Sequence, residues 1–338
     1  MQPEILSREV SALLGLPGAA PAPRIEPLAA GGNNRVFLAT AGDRKYAVKV
    51  YFRHPSDRRD RLHAEYTFLQ CAAGAGIDCV PRPVACDARH GIGVYEYIDG
   101  DKLAAAEIRA EHVDSAAKFF SDLNSREVRA QAAQLPEASE ACFSIDAHLA
   151  MVDGRIARLD RITGTEPVDG EARDFASRLA TRWAEAKRVI LEQAAAAGIQ
   201  PGEALAERCI SPSDFGFHNA ITMTGRGLCF IDFEYAGWDD PAKLVGDFFS
   251  HPAVPVDMSH RDRFMDQAFE YSTQPRKLRE RARLLFPVFQ VKWCCIILNE
   301  FLPEAAERRR FADPHTDFTA RKRAQLEKAA RLFVRIAG

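Results

Sequence analysis

At 338 residues, with 47% hydrophobic and 27% charged side chains, the chain has the composition of a soluble globular protein of one two-lobed fold or two ordinary domains. No run approaches the roughly 18 apolar residues of a membrane span, and the start lacks the basic-then-apolar order of a signal peptide. Eight cysteines without a C-x-x-C pair read as reduced core residues of a cytoplasmic protein, which excludes a disulfide or zinc framework. The net charge of −2 is uneven: residues 251–338 carry 17 Lys/Arg against 11 Asp/Glu, the remainder 28 against 36. Solvated helix faces account for the basic end, and no nucleic-acid-binding motif accompanies it.

In chain order, residues 3–15 predict a short helix and Pro17–Pro23 a linker. Strand-like segments follow at Arg24–Ala30, Arg35–Thr40, Lys45–Phe52 and Gly93–Ile98, interrupted by a helix over Ser56–Ala72 with Ser56-Asp57 as its N-cap. Beyond about residue 103 the pattern is helical, at 106–122, 124–133, 144–160, 171–197 and 202–207. Ala220–Met223 and Leu228–Ile231 then read as a hairpin joined by Thr224–Gly227. Three more helices are expected at 259–272, 276–310 (broken near Pro287 or Pro303) and 316–336. Strands first and helices after give an α+β class rather than a doubly wound sheet. The expected division is a helix and linker over 1–23, a strand-rich lobe over 24–99 and a helical lobe over 100–338.

The chemistry concentrates in Ser211-Pro-Ser-Asp-Phe-Gly-Phe-His-Asn219 and Phe230-Ile-Asp-Phe-Glu234. A loop carrying Asp214 and Asn219, then a hairpin, then Asp232 is what phosphoryl transfer needs. One carboxylate orients the accepting hydroxyl, while an amide and a second carboxylate hold Mg²⁺ against nucleotide phosphates. Three earlier features admit two readings each. Gly31-Gly-Asn-Asn34 is a hairpin turn or a backbone cradle for phosphate. Strand alternation puts Lys49 on one face with Ala47 and Tyr51, either as an exposed lysine or as one that reaches phosphates. Glu65 shares a helical stripe with Leu62 and Leu69, so its carboxylate either reaches solvent or pairs with a cation such as Lys49.

Together and in this order, these motifs resemble the aminoglycoside phosphotransferase and choline kinase superfamily from about residue 25 onward. The resemblance implies a protein-kinase-like bilobal α+β fold, with a small antiparallel sheet and one helix in the first lobe and a large helical second lobe. It implies ATP and Mg²⁺ as cofactors and a small-molecule hydroxyl acceptor. Gly31, Gly32, Asn33 and Asn34 would form the nucleotide loop, Lys49 would contact phosphates, and Glu65 would hold Lys49. Glu96 and Ile98 would supply the adenine-contacting hinge, Asp214 the catalytic carboxylate, and Asn219 and Asp232 the metal ligands, with Asp247 bracing the catalytic loop. Pro212 and Gly216 depart from the family's usual histidines, and His218 is the candidate substitute brace.

Aminoglycosides, as polycations, favour carboxylate-lined pockets, for which Glu234, Asp239, Asp240 and Glu300 are candidates against a basic C-terminal region. Choline calls for an aromatic and acidic cage, with Tyr235, Trp238 and Trp293 as candidates, although Trp293 reads more readily as core. A neutral or anionic sugar fits the charge distribution, and is the expected acceptor. The alternatives are an aminoglycoside or amino-alcohol kinase and, from other classes, a non-catalytic pseudokinase or a protein kinase. The last lacks an Ala-Pro-Glu segment and a long loop after Asp232.

Overall fold

A computed structural model of the chain describes residues 3–17, 21–28, 34–53, 59–225, 227–303 and 317–336. Two compact units emerge, one from residues 1–140 with 210–238, the other from 141–209 with 239–338. The boundary expected near residue 100 therefore lies inside the first unit, which holds the strand-rich segment and the loop-hairpin motif together.

In the first unit, β1 (Arg24–Pro27), β2 (Arg35–Ala41), β3 (Arg44–Val50), β4 (Pro83–Asp87) and β5 (Ile92–Glu96) form an antiparallel sheet in the order β1-β2-β3-β5-β4. Gly42, at φ 59°, opens the two-residue turn between β2 and β3, where a side chain would be strained. The sheet's two faces differ as alternation requires. Val48, Ile92 and Val94 face a fully buried cluster with Leu6 and Val10 of α1 (Pro3–Leu13), so α1 docks on this face. Lys49 and Tyr51 occupy the other face of β3, and Lys49 pairs in register with Gly93.

That second face lies on the side of α2 (Arg61–Gly74), whose N-cap is Asp60, accepting from the His63 amide at 2.9 Å. This corrects the expected start, since Asp60 rather than Ser56 or Asp57 satisfies the first turn; residues 54–58 lie outside the described residues. Strand β4 was not anticipated, because a leading proline and a register shift between Pro83 and Ala85 blur its alternation.

Helices α3 (Ala110–Leu123) and α4 (Arg126–Gln131) follow in the same unit. A three-stranded sheet orders β6 (Asp101–Lys102), β8 (Ala220–Met223) and β9 (Gly227–Phe230) as β6-β8-β9. Strands β7 (Cys209–Ser211) and β10 (Gly237–Asp239) make a separate ribbon.

The second unit is helical: α5 (Ile145–Arg158), α6 (Pro167–Ala196), α7 (Pro241–Ser250), α8 (Arg261–Ala268), α9 (Pro275–Leu298) and α10 (Phe318–Phe333). Central to it is α9, which packs against α5, α6, α7 and α10. Of the two expected break points, Pro287 does not interrupt α9, which ends at Leu298, ahead of Pro303. An interior proline costs about 3 kcal/mol, and burial of Leu285, Val288, Phe289 and Val291 around it offsets that cost. Gly246 permits the closest approach of α7, since a Cβ there would fall 2.0 Å from the Phe289 ring.

The helix expected at 202–207 does not form. A left-handed Gly198 and then Pro201-Gly202 leave too few residues to repay helix nucleation. The segment Pro275–Phe301 is long and apolar enough to cross a membrane by composition, which corrects the earlier reading, but 72% of that window is buried inside the fold. All eight cysteines are free thiols.

Candidate active site

Lys49, Glu65 and Asp232, far apart in sequence, meet within the first unit. The Lys49 ammonium donates to Glu65 Oε1 at 2.7 Å and Oε2 at 3.0 Å, and to Asp232 Oδ1 at 2.8 Å. Burial by itself lowers the Lys49 pKa, but the Glu65 and Asp232 carboxylates overcome it and hold the ammonium well above its ordinary value. Burial pushes Glu65 up, while Lys49 and a hydrogen bond from the Tyr51 hydroxyl pull it back. Of the two readings open for Glu65, the paired one is correct: its side chain is 3% exposed and bonded to Lys49.

The segment carrying Asp232 is pinned from several sides. The Phe233 amide donates to Glu65 Oε1 at 3.2 Å, and the Phe233 ring stacks on Phe68 of α2 at 4.6 Å between centroids. Asp232 itself sits at φ 71°, a left-handed conformation uncommon for a non-glycine residue and frequent where a side chain must be aimed. Its side chain is 41% exposed, unlike its partners.

The catalytic-loop candidates lie in the same unit. Phe215 packs among Phe119 and Phe230, with ring centroids 5.7 and 5.0 Å away, and Phe217 is buried. These apolar anchors hold the loop while Asp214 keeps a side chain 35% exposed. Asn219 Nδ2 donates to the Asp214 carbonyl at 3.0 Å, and the Ile231 amide donates to the Asn219 carbonyl at 2.9 Å, bringing Asn219 beside the strand end that leads into Asp232.

His218, the expected brace, places Nε2 3.2 Å from Asp214 Oδ1. A Cβ on Gly216 would lie 2.9 Å from His218 Nδ1. The constraint at 216 is steric, because its φ of 167° is ordinary extended backbone. A side chain at 216 would therefore displace the His218 ring from its present position.

Asn34 is buried, and its side chain is engaged: Nδ2 donates to Glu234 Oε2, and Oδ1 accepts from the Phe52 amide at 3.3 Å. It thus ties the start of β2 to the segment after Asp232. Gly31, Gly32 and Asn33 lie outside the described residues. Glu96 and Ile98 line a recess of about 560 Å³ with Tyr97, Met223 and Thr224. The Glu96 amide already donates to the Arg82 carbonyl at 2.9 Å, and its carboxylate accepts from the Arg82 amide at 3.2 Å.

Asp247 differs from expectation. Its carboxylate is taken within the second unit by Lys292 at 2.8 and 2.9 Å and by the Trp293 indole at 2.9 Å. Sequence reasoning missed Tyr51 and Tyr95 as partners of the Lys49–Glu65 pair, although alternation had already put Tyr51 on the face of Lys49.

A lysine held by a helix carboxylate, with Asp and Asn on a loop and a second Asp after a hairpin, is the constellation the motifs implied. The sequence model of the phosphotransferase enzyme family (APH) matches residues 24–285. The chain belongs to this family. It is a small-molecule phosphotransferase with a kinase-like fold, and nucleotide use goes with that membership.

Solved structures agree on the fold. Choline kinase from Cryptosporidium parvum Iowa II superposes with a TM-score of 0.60 at 11% identity, covering 99% of this chain and 97% of that one. A choline/ethanolamine kinase family protein from Mesorhizobium loti gives 0.60 at 18%, covering 98% and 95%. Spectinomycin phosphotransferase in complex with ADP and spectinomycin gives 0.61 at 12%, covering 97% and 99%. No curated protein sequence matches the chain.

Proposed function

We propose that this phosphotransferase moves the γ-phosphoryl group of ATP, with Mg²⁺, to a hydroxyl of a neutral or anionic small molecule, a sugar or sugar-like metabolite. The observation that carries the acceptor class is the state of the three aromatic candidates for an ammonium cage. Tyr235 already faces Arg59 and Arg61, with guanidinium carbons 5.3 and 5.6 Å from its centroid. Trp238 faces Arg129 at 5.4 Å, and Trp293 has Lys292 at 5.9 Å. A cation over each ring repels a quaternary ammonium rather than welcoming it.

The acidic candidates point the same way. Glu234 accepts from Asn34, Asp239 is bonded to Lys243, Asp240 to His148 and Arg281, and Glu300 pairs with Arg321 at 3.1 Å. All four acids are buried, so they offer a polycation little open negative surface.

In this reading Asp214 orients the accepting hydroxyl and takes its proton late, with His218 fixing the carboxylate. Lys49, positioned by Glu65, holds the phosphates. The glycine-containing loop at Gly31–Asn34 approaches them through its backbone, and the hinge near Glu96 and Ile98 receives adenine. Functionally, residues 24–99 grip the nucleotide and 100–338 carry catalysis and the acceptor.

Asn219 and Asp232 suit a hard divalent cation. Both offer oxygen donors, and the Asn219 amide nitrogen is oriented by the Asp214 carbonyl, which leaves Oδ1 as the outward-facing atom. When bound there, Mg²⁺ neutralises charge on the phosphate oxygens. Eight thiols without a disulfide support a reducing, cytoplasmic setting.

The test is Mg²⁺-dependent ADP release against pooled sugars, sugar acids, amino alcohols and aminoglycosides. A sugar pool should raise turnover in the wild type but not in Asp214→Ala. Stimulation by aminoglycosides or amino alcohols alone overturns the acceptor class and leaves the catalytic assignment standing.

A further inference from the structure

We propose that Tyr51, backed by Tyr95, is a positioning residue for nucleotide binding: its hydroxyl fixes the Glu65 carboxylate so that Lys49 stays aimed at the phosphates. The inference rests on the roles given above to Lys49 and Glu65.

Glu65 receives donors from three directions. Lys49 reaches both of its oxygens, the Phe233 amide reaches Oε1, and the Tyr51 hydroxyl reaches Oε2. In this arrangement Lys49 is shared with Asp232. With a metal ion on Asp232 and phosphate on Lys49, that ion pair would loosen, and Glu65 would be the lysine's remaining protein anchor. A glutamate has three rotatable side-chain bonds, so its aim then depends on its other two donors. Of these two, Tyr51 comes from the segment that carries Lys49, directly after the end of β3 and two residues on, so it ties Glu65 to the strand that carries the lysine.

Tyr51 is itself immobilised. It is 5% exposed, and its hydroxyl lies 2.8 Å from that of Tyr95, which is 2% exposed. The Tyr95 ring folds over Gly93, where a Cβ would fall 2.4 Å from the Tyr95 hydroxyl. Gly93 is the register partner of Lys49. Strand β5 thus leaves a gap opposite the lysine, and the gap is filled by the ring that supports Tyr51. Were the two tyrosines only core, phenylalanine would serve equally at both positions. A hydroxyl bond to a carboxylate is among the stronger neutral-to-charged hydrogen bonds.

The experiment measures the Kd of mant-ATP with MgCl₂, together with thermal melting, for wild type, Tyr51→Phe, Tyr95→Phe, Lys49→Ala, Glu65→Gln and Tyr51→Phe/Glu65→Gln. Tyr51→Phe should raise Kd by about tenfold, the range of a lost hydrogen bond to a charged group. Tyr95→Phe should raise it by about two- to threefold, acting through Tyr51. In the Glu65→Gln background, Tyr51→Phe should add little, because the charge it positions is gone.

A merely structural tyrosine would lower the melting temperature and change Kd equally in both backgrounds, which overturns the proposal. So does a folded Tyr51→Phe protein with wild-type Kd. If Lys49→Ala binds mant-ATP as tightly as wild type, the lysine's assigned role has failed, and the inference falls with it. Weakened binding in Lys49→Ala with no change in Tyr51→Phe rejects the tyrosine alone.

Discussion

Both units bury charge, but they do so differently. In the first, Lys49 divides its ammonium between Glu65, which is sealed, and Asp232, whose side chain is 41% exposed. Asp214 is likewise open at 35%. In the second, the Asp240 carboxylate is wholly enclosed with His148 and Arg281, Asp239 is bonded to Lys243, and Asp247 is clamped by Lys292 and Trp293.

A buried carboxylate with every partner fixed has nothing to exchange, whereas one with an open edge can trade a lysine for a ligand. The first arrangement suits the exchange of a lysine for a ligand, the second the integrity of the helical unit. Removing one partner of a sealed pair leaves an uncompensated buried charge, so stability suffers first there.

The largest effect expected is on turnover. Asp214→Ala should lower kcat by about 10²–10⁴-fold, the usual contribution of a positioned acid or base, with melting temperature and nucleotide affinity close to wild type. Once an acceptor is known, steady-state kinetics with calorimetric melting checks both halves; a melting loss equal to that of the sealed sites would erase the contrast drawn above.

Next, Asp240→Ala should destabilise the fold by about 3 kcal/mol, since it removes the carboxylate that buried His148 and half-buried Arg281 share. Urea denaturation measures this, and a loss below about 1 kcal/mol would mean the network is dispensable.

A pH dependence sharpens the same point. Burial by itself raises Asp240, but the hydrogen bond from His148 and the charge of Arg281 outweigh it and hold the group at about 2, against 3.8 for an ordinary aspartate. A depressed carboxylate contributes stability that is fully present above the unfolded value and is lost as pH falls through the folded value. Asp240 should therefore supply about 2 kcal/mol at neutral pH, lost between roughly pH 4 and pH 2. The acid limb of the stability curve should be shallower in Asp240→Asn than in wild type.

The smallest effect is the control. Lys118 and Asp122 form an exposed pair at 2.7 Å one helical turn apart, and Lys118→Ala should change stability by under about 0.5 kcal/mol. A larger loss there would show that exposure is a poor guide to which charges matter in this protein.

The local signals were legible because they are short-range. The period-2 alternation of Tyr46–Tyr51 put Lys49 and Tyr51 on one face, and the folded sheet keeps them there. The order of Asp214, Asn219, hairpin and Asp232 pointed to phosphoryl transfer, and the family match agrees. Helix stripes located α3, α5, α6 and α9, because amphipathic periodicity acts within a few turns.

Other features were settled only by packing between distant segments. Sequence left open whether Glu65 reaches water or pairs, since its partners lie 16 residues away on Lys49 and 168 away on Phe233. Local grounds allow α9 to break at Pro287 or Pro303, and burial on several sides carries the helix past the first of them. Asp240 reads as an open acid until His148 of α5 and Arg281 of α9 close on it, and Asp247, expected at the catalytic loop, is taken by Lys292 of α9 instead. Whether a charge is a ligand or a strut depends on what the fold brings against it, and that information is not contained in any one segment of the chain.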